Sequence, residues 1–193
     1  MADYDLILAS ASPRRTEILN QIGVRHSVFP ADIDETPKKC ESAIQYVQRM
    51  ALEKAQHVIE KGEGKIPVMG ADTAVVCDSK IFGKPQNQDD GIAMLSLLSG
   101  KSHQVITVVA MGSTNRCLSL TSVTEVRFRE ITAKEINRYW QTGEPQDKAG
   151  SYAIQGYGAV FVESIKGSYS GVVGLPIKET AQLLQAFNIP VWV

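Results

Sequence analysis

Two long β-rich runs separated by a short turn constrain the fold of this chain more than any other feature. Val105 to Met111 and Leu118 to Phe128 consist mainly of strand-forming residues, and Gly112-Ser113-Thr114-Asn115 joins them. This arrangement predicts two antiparallel neighbours in one sheet. An earlier apolar run with a hairpin return, Pro67 to Phe82, predicts a second antiparallel pair.

Helical patterns alternate with these strands. A short strand at Leu6 to Ala9 precedes a helix that begins after Ser12, Ser42 caps a long amphipathic helix, and Thr132 and Glu135 have the spacing of a capping box. Because helices alternate with strands while hairpins interrupt the parallel order, we predict an α/β fold. It would have a mixed twisted sheet with flanking helices, in a single domain over residues 1–193.

Composition excludes several classes of function. The 193 residues contain 20 Lys and Arg against 21 Asp and Glu, a net charge of −1, so the chain lacks the basic excess of a nucleic-acid-binding protein. Cys40, Cys77 and Cys117 are odd in number and widely spaced, which argues against a Cys-ligated zinc and fits a reducing compartment. No apolar stretch approaches the ~18 residues of a membrane span. We therefore predict a cytoplasmic protein without nucleic-acid or membrane partners.

One carboxylate lies within an apolar strand. Gly70-Ala71-Asp72-Thr73 is part of the run from Val68 to Val76. An ionised carboxylate there costs several kcal/mol unless a metal, a cation or hydrogen-bond donors compensate it. Asp72 is therefore a candidate metal ligand or general base. The alternative is a carboxylate that only accepts from backbone amides at a strand end.

Two arginines fall in the first turn of a predicted helix. Ser12 is a good N-cap and Pro13 a good first helical residue, so Arg14 and Arg15 stand where the helix dipole disfavours cations. An anion would relieve this conflict, and helix amides with two guanidinium groups would bind phosphate strongly. The alternative is a pair of solvated arginines that interact with Glu17 or another carboxylate.

Three further groups are candidates for the same chemistry. The loop Asp32-Ile33-Asp34-Glu35-Thr36 has three carboxylates in four positions, which could hold Mg²⁺ or could simply be solvated. Lys54 lies near the middle of the long helix, and Lys84 follows the predicted hairpin. Both lysines are candidate phosphate ligands, and each on its own could be an ordinary surface residue.

Seven motifs follow one another along nearly the whole chain. They are Ser10-Ala11-Ser12-Pro13-Arg14-Arg15, Asp34-Glu35, Glu53-Lys54-Ala55, Gly70-Ala71-Asp72-Thr73, Gly83-Lys84-Pro85, Asp147-Lys148-Ala149-Gly150 and Gly174-Leu175-Pro176. In this combination and order the chain resembles the Maf family of nucleoside triphosphate pyrophosphatases. One such motif would be weak evidence, whereas seven in register make a chance match improbable.

The resemblance implies a fold, a reaction and a substrate class. The fold would be elongated, similar to that of inosine triphosphate pyrophosphatases, with two lobes around a cleft, and the protein would often be a homodimer. The reaction would be hydrolysis of a nucleoside triphosphate to the monophosphate and pyrophosphate with Mg²⁺ or Mn²⁺, which removes non-standard nucleotides from the pool. Arg14, Thr73 and Gln155 would set base preference. At Thr73 and Gln155 the chain resembles the branch of the family that hydrolyses dTTP and UTP.

The resemblance also implies a role for each candidate. Asp72 would be the proton acceptor for the attacking water, and Glu35 and Asp72 would hold the metal. The triphosphate would be bound by Ser12, Arg14, Arg15, Lys54 and Lys84. Two alternatives stay open. One is the same reaction with another base preference, such as 7-methyl-GTP or modified pyrimidine nucleotides, and the other is a non-hydrolysing nucleotide-binding regulator of cell division.

Overall fold

The computed structural model describes residues 4–63 and 66–192, and these form six α-helices and seven β-strands. The strands are β1 (Leu6–Leu8), β2 (His26–Val28), β3 (Val68–Cys77), β4 (Lys80–Phe82), β5 (Ser102–Ser113), β6 (Arg116–Phe128) and β7 (Val162–Lys166). The helices are α1 (Pro13–Gln21), α2 (Ala43–Val58), α3 (Gln88–Leu98), α4 (Ala133–Gln141), α5 (Tyr169–Val173) and α6 (Ile177–Ala186). The predicted α/β class is confirmed.

The seven strands form one mixed sheet in the order β2-β1-β3-β5-β6-β7, with β4 paired to β3. β1 is parallel to β2 and β3, whereas β4 is antiparallel to β3 and β7 to β6. The predicted hairpin neighbours β5 and β6 are adjacent, and only Thr114 and Asn115 separate them. The turn is shorter than the sequence indicated because β5 continues through Gly112 and Ser113.

The chain divides into two compact units. The first contains the described residues of Met1–Asp72, Thr107–Ser122 and Gly174–Val193, and the second contains Thr73–Ile106 and Val123–Val173. β3, β5 and β6 therefore each contribute residues to both units. The single domain, the elongated shape and the cleft stay predictions. No helix within residues 4–63 and 66–192 combines the length and apolar character of a membrane span.

In the first unit, helix α2 carries the candidate residue Lys54. Ser42 caps it, because the Ser42 hydroxyl accepts from the Gln45 amide while the Gln45 side chain accepts from the Ser42 amide. Its inner face includes Ala55 and Val58, which pack in a core cluster with Ile7 of β1. Helix α2 is thus fixed by a local cap and by burial of its apolar stripe.

The second unit has an aromatic core. Phe128 lies edge-on to Tyr152 at 4.7 Å between ring centroids, and Phe161 lies edge-on to Tyr139 at 5.1 Å. The predicted capping box of α4 is confirmed. The strand predicted from Val160 instead begins two residues later, because Tyr157–Phe161 forms a 3-10 helix, and the sequence reading missed the short helix α5.

Candidate active site

Lys54, Asp72 and Glu35 form the centre of the candidate site in the first unit. The Lys54 ammonium donates to Asp72 Oδ1 at 2.7 Å and lies 2.7 Å from Glu35 Oε1. Lys54 is 8% exposed and Asp72 9%, whereas the Glu35 side chain is 53% exposed. The prediction that the carboxylate in the apolar strand needs compensation is confirmed, and the compensating cation is Lys54.

Gly70 allows the strand and the helix to meet at this point. A Cβ at residue 70 would lie 2.2 Å from the Ala51 carbonyl oxygen and 2.8 Å from the Ala55 amide nitrogen. No side chain fits there, so β3 packs directly on the backbone of α2. Asp72, two residues further along the same face of the strand, is thereby placed beside Lys54.

Burial and charge act in opposite directions on Asp72. Burial raises the pKa of Asp72 above its ordinary value, while Lys54 and then Arg15 lower it, and Glu35 raises it further. The negative charges of Asp72 and Glu35 also add to burial in raising the pKa of Tyr46 to about 12. A carboxylate with a raised pKa, held by a cation, is suited to accept a proton from water.

Arg15 connects the start of α1 to two other segments of the first unit. Its Nε donates to the Gly174 carbonyl oxygen and one Nη to Ser10 Oγ, each at 2.9 Å. Arg15 is buried, and burial lowers its pKa while Asp72 opposes that shift. As predicted, Ser12 is the N-cap, although its side chain does not cap the helix, and Arg14 is half-buried. Their phosphate-binding roles stay predictions.

The acidic loop is held on α2 by side chains that the sequence reading missed. Tyr46 donates its hydroxyl proton to the Glu35 carbonyl oxygen at 3.0 Å, and Arg49 Nη2 donates to the Thr36 carbonyl oxygen at 3.1 Å. Arg49 also makes a two-point contact with Glu41, at 2.7 and 2.8 Å, which lowers the pKa of Glu41 to about 2. The backbone of the loop is therefore fixed next to Glu35.

Two carboxylates in this site have the chemistry to hold a divalent cation. Glu35 and Asp72 both contact the Lys54 ammonium at 2.7 Å, so their nearer oxygens are separated by at most twice that distance. Mg²⁺ is commonly bound by one or two carboxylates together with substrate phosphates, and this pair fits that pattern. Asp34 accepts from the Thr36 amide at 2.9 Å. In residues 4–63 and 66–192 no group of three or more His, Cys, Asp or Glu side chains is placed to hold a metal.

Thr73, Lys84 and Gln155 belong to the second unit. Thr73 is half-buried, and Lys84 and Gln155 are exposed. The Gly150 amide donates to the Gly83 carbonyl oxygen at 3.0 Å, which ties the residue before Lys84 to the glycine-rich segment. The structure thus brings Glu35, Lys54 and Asp72 together, while a shared site with the second-unit residues stays a prediction.

Comparison with known proteins agrees with these motifs. The family model described as Maf-like protein matches residues 5–187. A protein of Saccharophagus degradans named dTTP/UTP pyrophosphatase is 51% identical over 97% of this chain and 91% of its own. One of Colwellia psychrerythraea with the same name is 54% identical over 93% and 86%. The solved structure of the Staphylococcus aureus Ham1 protein matches with a TM-score of 0.47 at 12% identity, over 95% of this chain and 97% of that one. From the family match and the identity to these relatives, we conclude that the chain belongs to the Maf family.

Proposed function

We propose that this protein hydrolyses dTTP and UTP to the monophosphate and pyrophosphate. One observation carries the proposal: five relatives from different organisms, 50–54% identical over at least 93% of this chain, are all named dTTP/UTP pyrophosphatase. Removal of non-standard nucleotides, including modified pyrimidine nucleotides, from the cellular pool is the role that fits this reaction.

Asp72 is the proton acceptor in this proposal. Water attacks the α-phosphorus, a bond forms between the water oxygen and phosphorus, and the bond to the bridging oxygen of the departing pyrophosphate breaks. The water proton passes to the Asp72 carboxylate, whose pKa is raised by burial and whose orientation Lys54 fixes. The position of Asp72 on a buried strand supports this role, because a fixed base needs no rearrangement.

Positive side chains neutralise the triphosphate. Lys54 and Arg15 supply buried charge close to Asp72, as their effect on its pKa indicates. Arg14 at the start of α1 and Lys84 in the second unit add positive charge, and the neutral Ser12 hydroxyl would donate a hydrogen bond to a phosphate oxygen. Charge developing on the departing pyrophosphate is stabilised most by donors that are already in place.

Glu35 and Asp72 would hold Mg²⁺ or Mn²⁺. Such an ion, when bound, neutralises phosphate charge and polarises the phosphoryl group. The exposed Glu35 carboxylate, fixed through its backbone by Tyr46, is the protein ligand with most access to solvent. Carboxylate oxygens of this kind are common ligands of Mg²⁺ and Mn²⁺.

Base preference is assigned to Gln155, Thr73 and Arg14. The Gln155 amide both donates and accepts, which matches the O4 and N3 edge of uracil and thymine, whereas an ionised carboxylate only accepts. We further propose that the enzyme is cytoplasmic, which is consistent with its three free cysteines. We also propose that it is a homodimer.

Pyrophosphate release across a panel of nucleotides tests the proposal. The panel comprises dTTP, UTP, CTP, GTP, ATP and 7-methyl-GTP, each with Mg²⁺, with Mn²⁺ and with EDTA. We expect the highest kcat/KM for dTTP and UTP and no turnover in EDTA. A purine preference would overturn the roles of Thr73 and Gln155, and nucleotide that is bound but left intact with Mg²⁺ would favour the non-hydrolysing regulator.

A further inference from the structure

We propose that Glu144 is a positioning residue for base discrimination, because its carboxylate holds the turn of residues 153–158, which presents Gln155. The inference rests on the proposed function, which gives Gln155 its contact with the base. Glu144 is the first residue of the 3-10 helix Glu144–Asp147 and lies in the second unit with the turn it holds. None of the seven sequence motifs includes it.

The Glu144 carboxylate accepts three hydrogen bonds. The Tyr157 amide donates to Oε2 at 2.9 Å, and the Gly158 amide donates to Oε1 at 3.0 Å. The Tyr139 hydroxyl donates to the same Oε1 at 2.7 Å. Amide-to-carboxylate bonds are stronger than bonds between neutral groups, so the backbone just after Gln155 is firmly fixed.

Tyr139 connects these hydrogen bonds to the other end of the turn. Its hydroxyl oxygen accepts from the Ala153 amide at 3.0 Å, so the Glu144–Tyr139 pair reaches the backbone on both sides of Gln155. Tyr139 is buried, and burial together with its bond to Glu144 raises its pKa, which keeps the hydroxyl protonated as a donor. Its ring packs edge-on against Phe161.

Gly156 completes the arrangement by leaving room for the carboxylate. A Cβ at residue 156 would lie 1.9 Å from Glu144 Oε2. Any side chain at this position would have to displace Glu144 from the turn. The space beside Gly156 is therefore occupied by the carboxylate that anchors the following two amides.

This hold matters because the direction of the Gln155 amide decides what it can bind. Gln155 is exposed, as Tyr157 is, whereas Ile154 before it is buried, so the turn offers the Gln155 side chain to solvent. An amide reads a base edge only if its donor and acceptor point at the matching groups. A loosened backbone would let the amide turn away, which weakens discrimination without touching Asp72.

Glu144→Gln is the sharpest test, because the side chain keeps its size but one carboxylate oxygen becomes a donor. The new NH₂ group would face the Tyr157 amide, which is itself a donor, so that hydrogen bond would be lost. If the side chain rotates by half a turn, the NH₂ group would instead face the donors of Tyr139 and Gly158. We expect KM for dTTP and UTP to rise about tenfold, with kcat changed less than about twofold, as for loss of one well-placed hydrogen bond. The preference for dTTP over CTP should fall by the same factor. Glu163→Gln, at an exposed pair with Arg127, is the matched control and should leave both constants unchanged.

Two more variants separate positioning from stability. Tyr139→Phe keeps the ring packing but removes the hydroxyl, and should lower the same preference. Gly156→Ala should displace the carboxylate, so that Gly156→Ala combined with Glu144→Gln loses no more discrimination than either alone. Variants that unfold at lower temperature but keep the wild-type preference would overturn the inference. If the wild-type enzyme itself fails to prefer dTTP and UTP, the proposed function has failed instead.

Discussion

The Lys54–Asp72 centre of the first unit and the Gln155 turn of the second unit are built in different ways. Lys54 and Asp72 stand on a regular helix and a regular strand, are almost fully buried, and meet because Gly70 lets the two elements touch. Gln155 is exposed in a turn whose backbone is fixed because the Tyr157 and Gly158 amides donate to the Glu144 carboxylate.

The difference matches the role proposed for each region. A carboxylate with a raised pKa requires desolvation, and desolvated charges need a partner held at fixed distance by packed elements. A side chain that reads a ligand edge has to be open to solvent, so its direction is set through the backbone. Changes to the first region should therefore affect turnover, stability and pH dependence, and changes to the second should affect discrimination.

Asp72→Asn should give the largest effect. The amide keeps the size of the side chain but does not accept the water proton, so we expect pyrophosphate release to fall by about 10³-fold, within the usual range for loss of a general base. Circular dichroism should show the wild-type fold. Asp78→Asn, at an exposed pair with Lys101, is the control and should keep full activity. Turnover retained by the Asp72 variant would exclude Asp72 as the proton acceptor.

Gly70→Ala should be the next most damaging change. The new Cβ would meet backbone atoms of Ala51 and Ala55, which have no way to rotate aside. We expect a loss of about 3 kcal/mol in the free energy of unfolding, the upper part of the range for overpacking, measured by urea denaturation. Gly83→Ala points into open space and should leave stability unchanged. Equal stability of the two variants would mean that β3 does not need this close approach.

Lys54→Met should shift the pH dependence of the remaining activity. Lys54 favours the charged form of Asp72 and so lowers its pKa, whereas burial raises it. Without the ammonium the pKa of Asp72 rises further, and the acid limb of the kcat/KM profile should move to higher pH, because only the ionised carboxylate accepts a proton. An acid limb that stays at its wild-type position would show that a group other than Asp72 controls it.

Arg49→Met should have the smallest effect of the four. Arg49 donates to the Thr36 carbonyl oxygen and so fixes the backbone next to Glu35. Its loss should raise the Mg²⁺ concentration for half-maximal activity by about tenfold, a typical effect of residues that support metal ligands. Activity at saturating Mg²⁺ should change less. Arg25→Met, which removes a similar two-point arginine contact with Asp5, is the matched control. An equal Mg²⁺ requirement in both variants would contradict the proposed role of the loop.

Local signals predicted the elements well and the irregular segments poorly. The caps at Ser42 and Thr132 lie within four residues of their partners, and both helices begin where the sequence indicated. The predicted start of β7 was wrong by two residues, since the 3-10 helix Tyr157–Phe161 occupies the residues before it. Gly158 in this helix lies close to the Tyr139 hydroxyl, a tertiary contact that leaves no signal in the local sequence.

The candidate site residues also divide into those that the local sequence predicted and those that it did not. The need for a partner at Asp72 was evident from the apolar run around it, because an ionised group there has a known cost. Arg49 and Glu144 were missed, since each also binds a backbone group 13 residues away, a contact with no signal in the local sequence. Lys54 was predicted as a phosphate ligand, and nothing local showed that it contacts two carboxylates.

By itself, the sequence determined the α/β class, the main caps and the seven motifs that belong to the Maf family, because these depend on residue type and spacing. Only the tertiary structure decided which charges meet. Lys54 and Asp72 are 18 residues apart, and β3 approaches α2 closely enough for their contact because Gly70 has no side chain. The hold of Glu144 on the Gln155 turn arises in the same way, from space that a glycine leaves open.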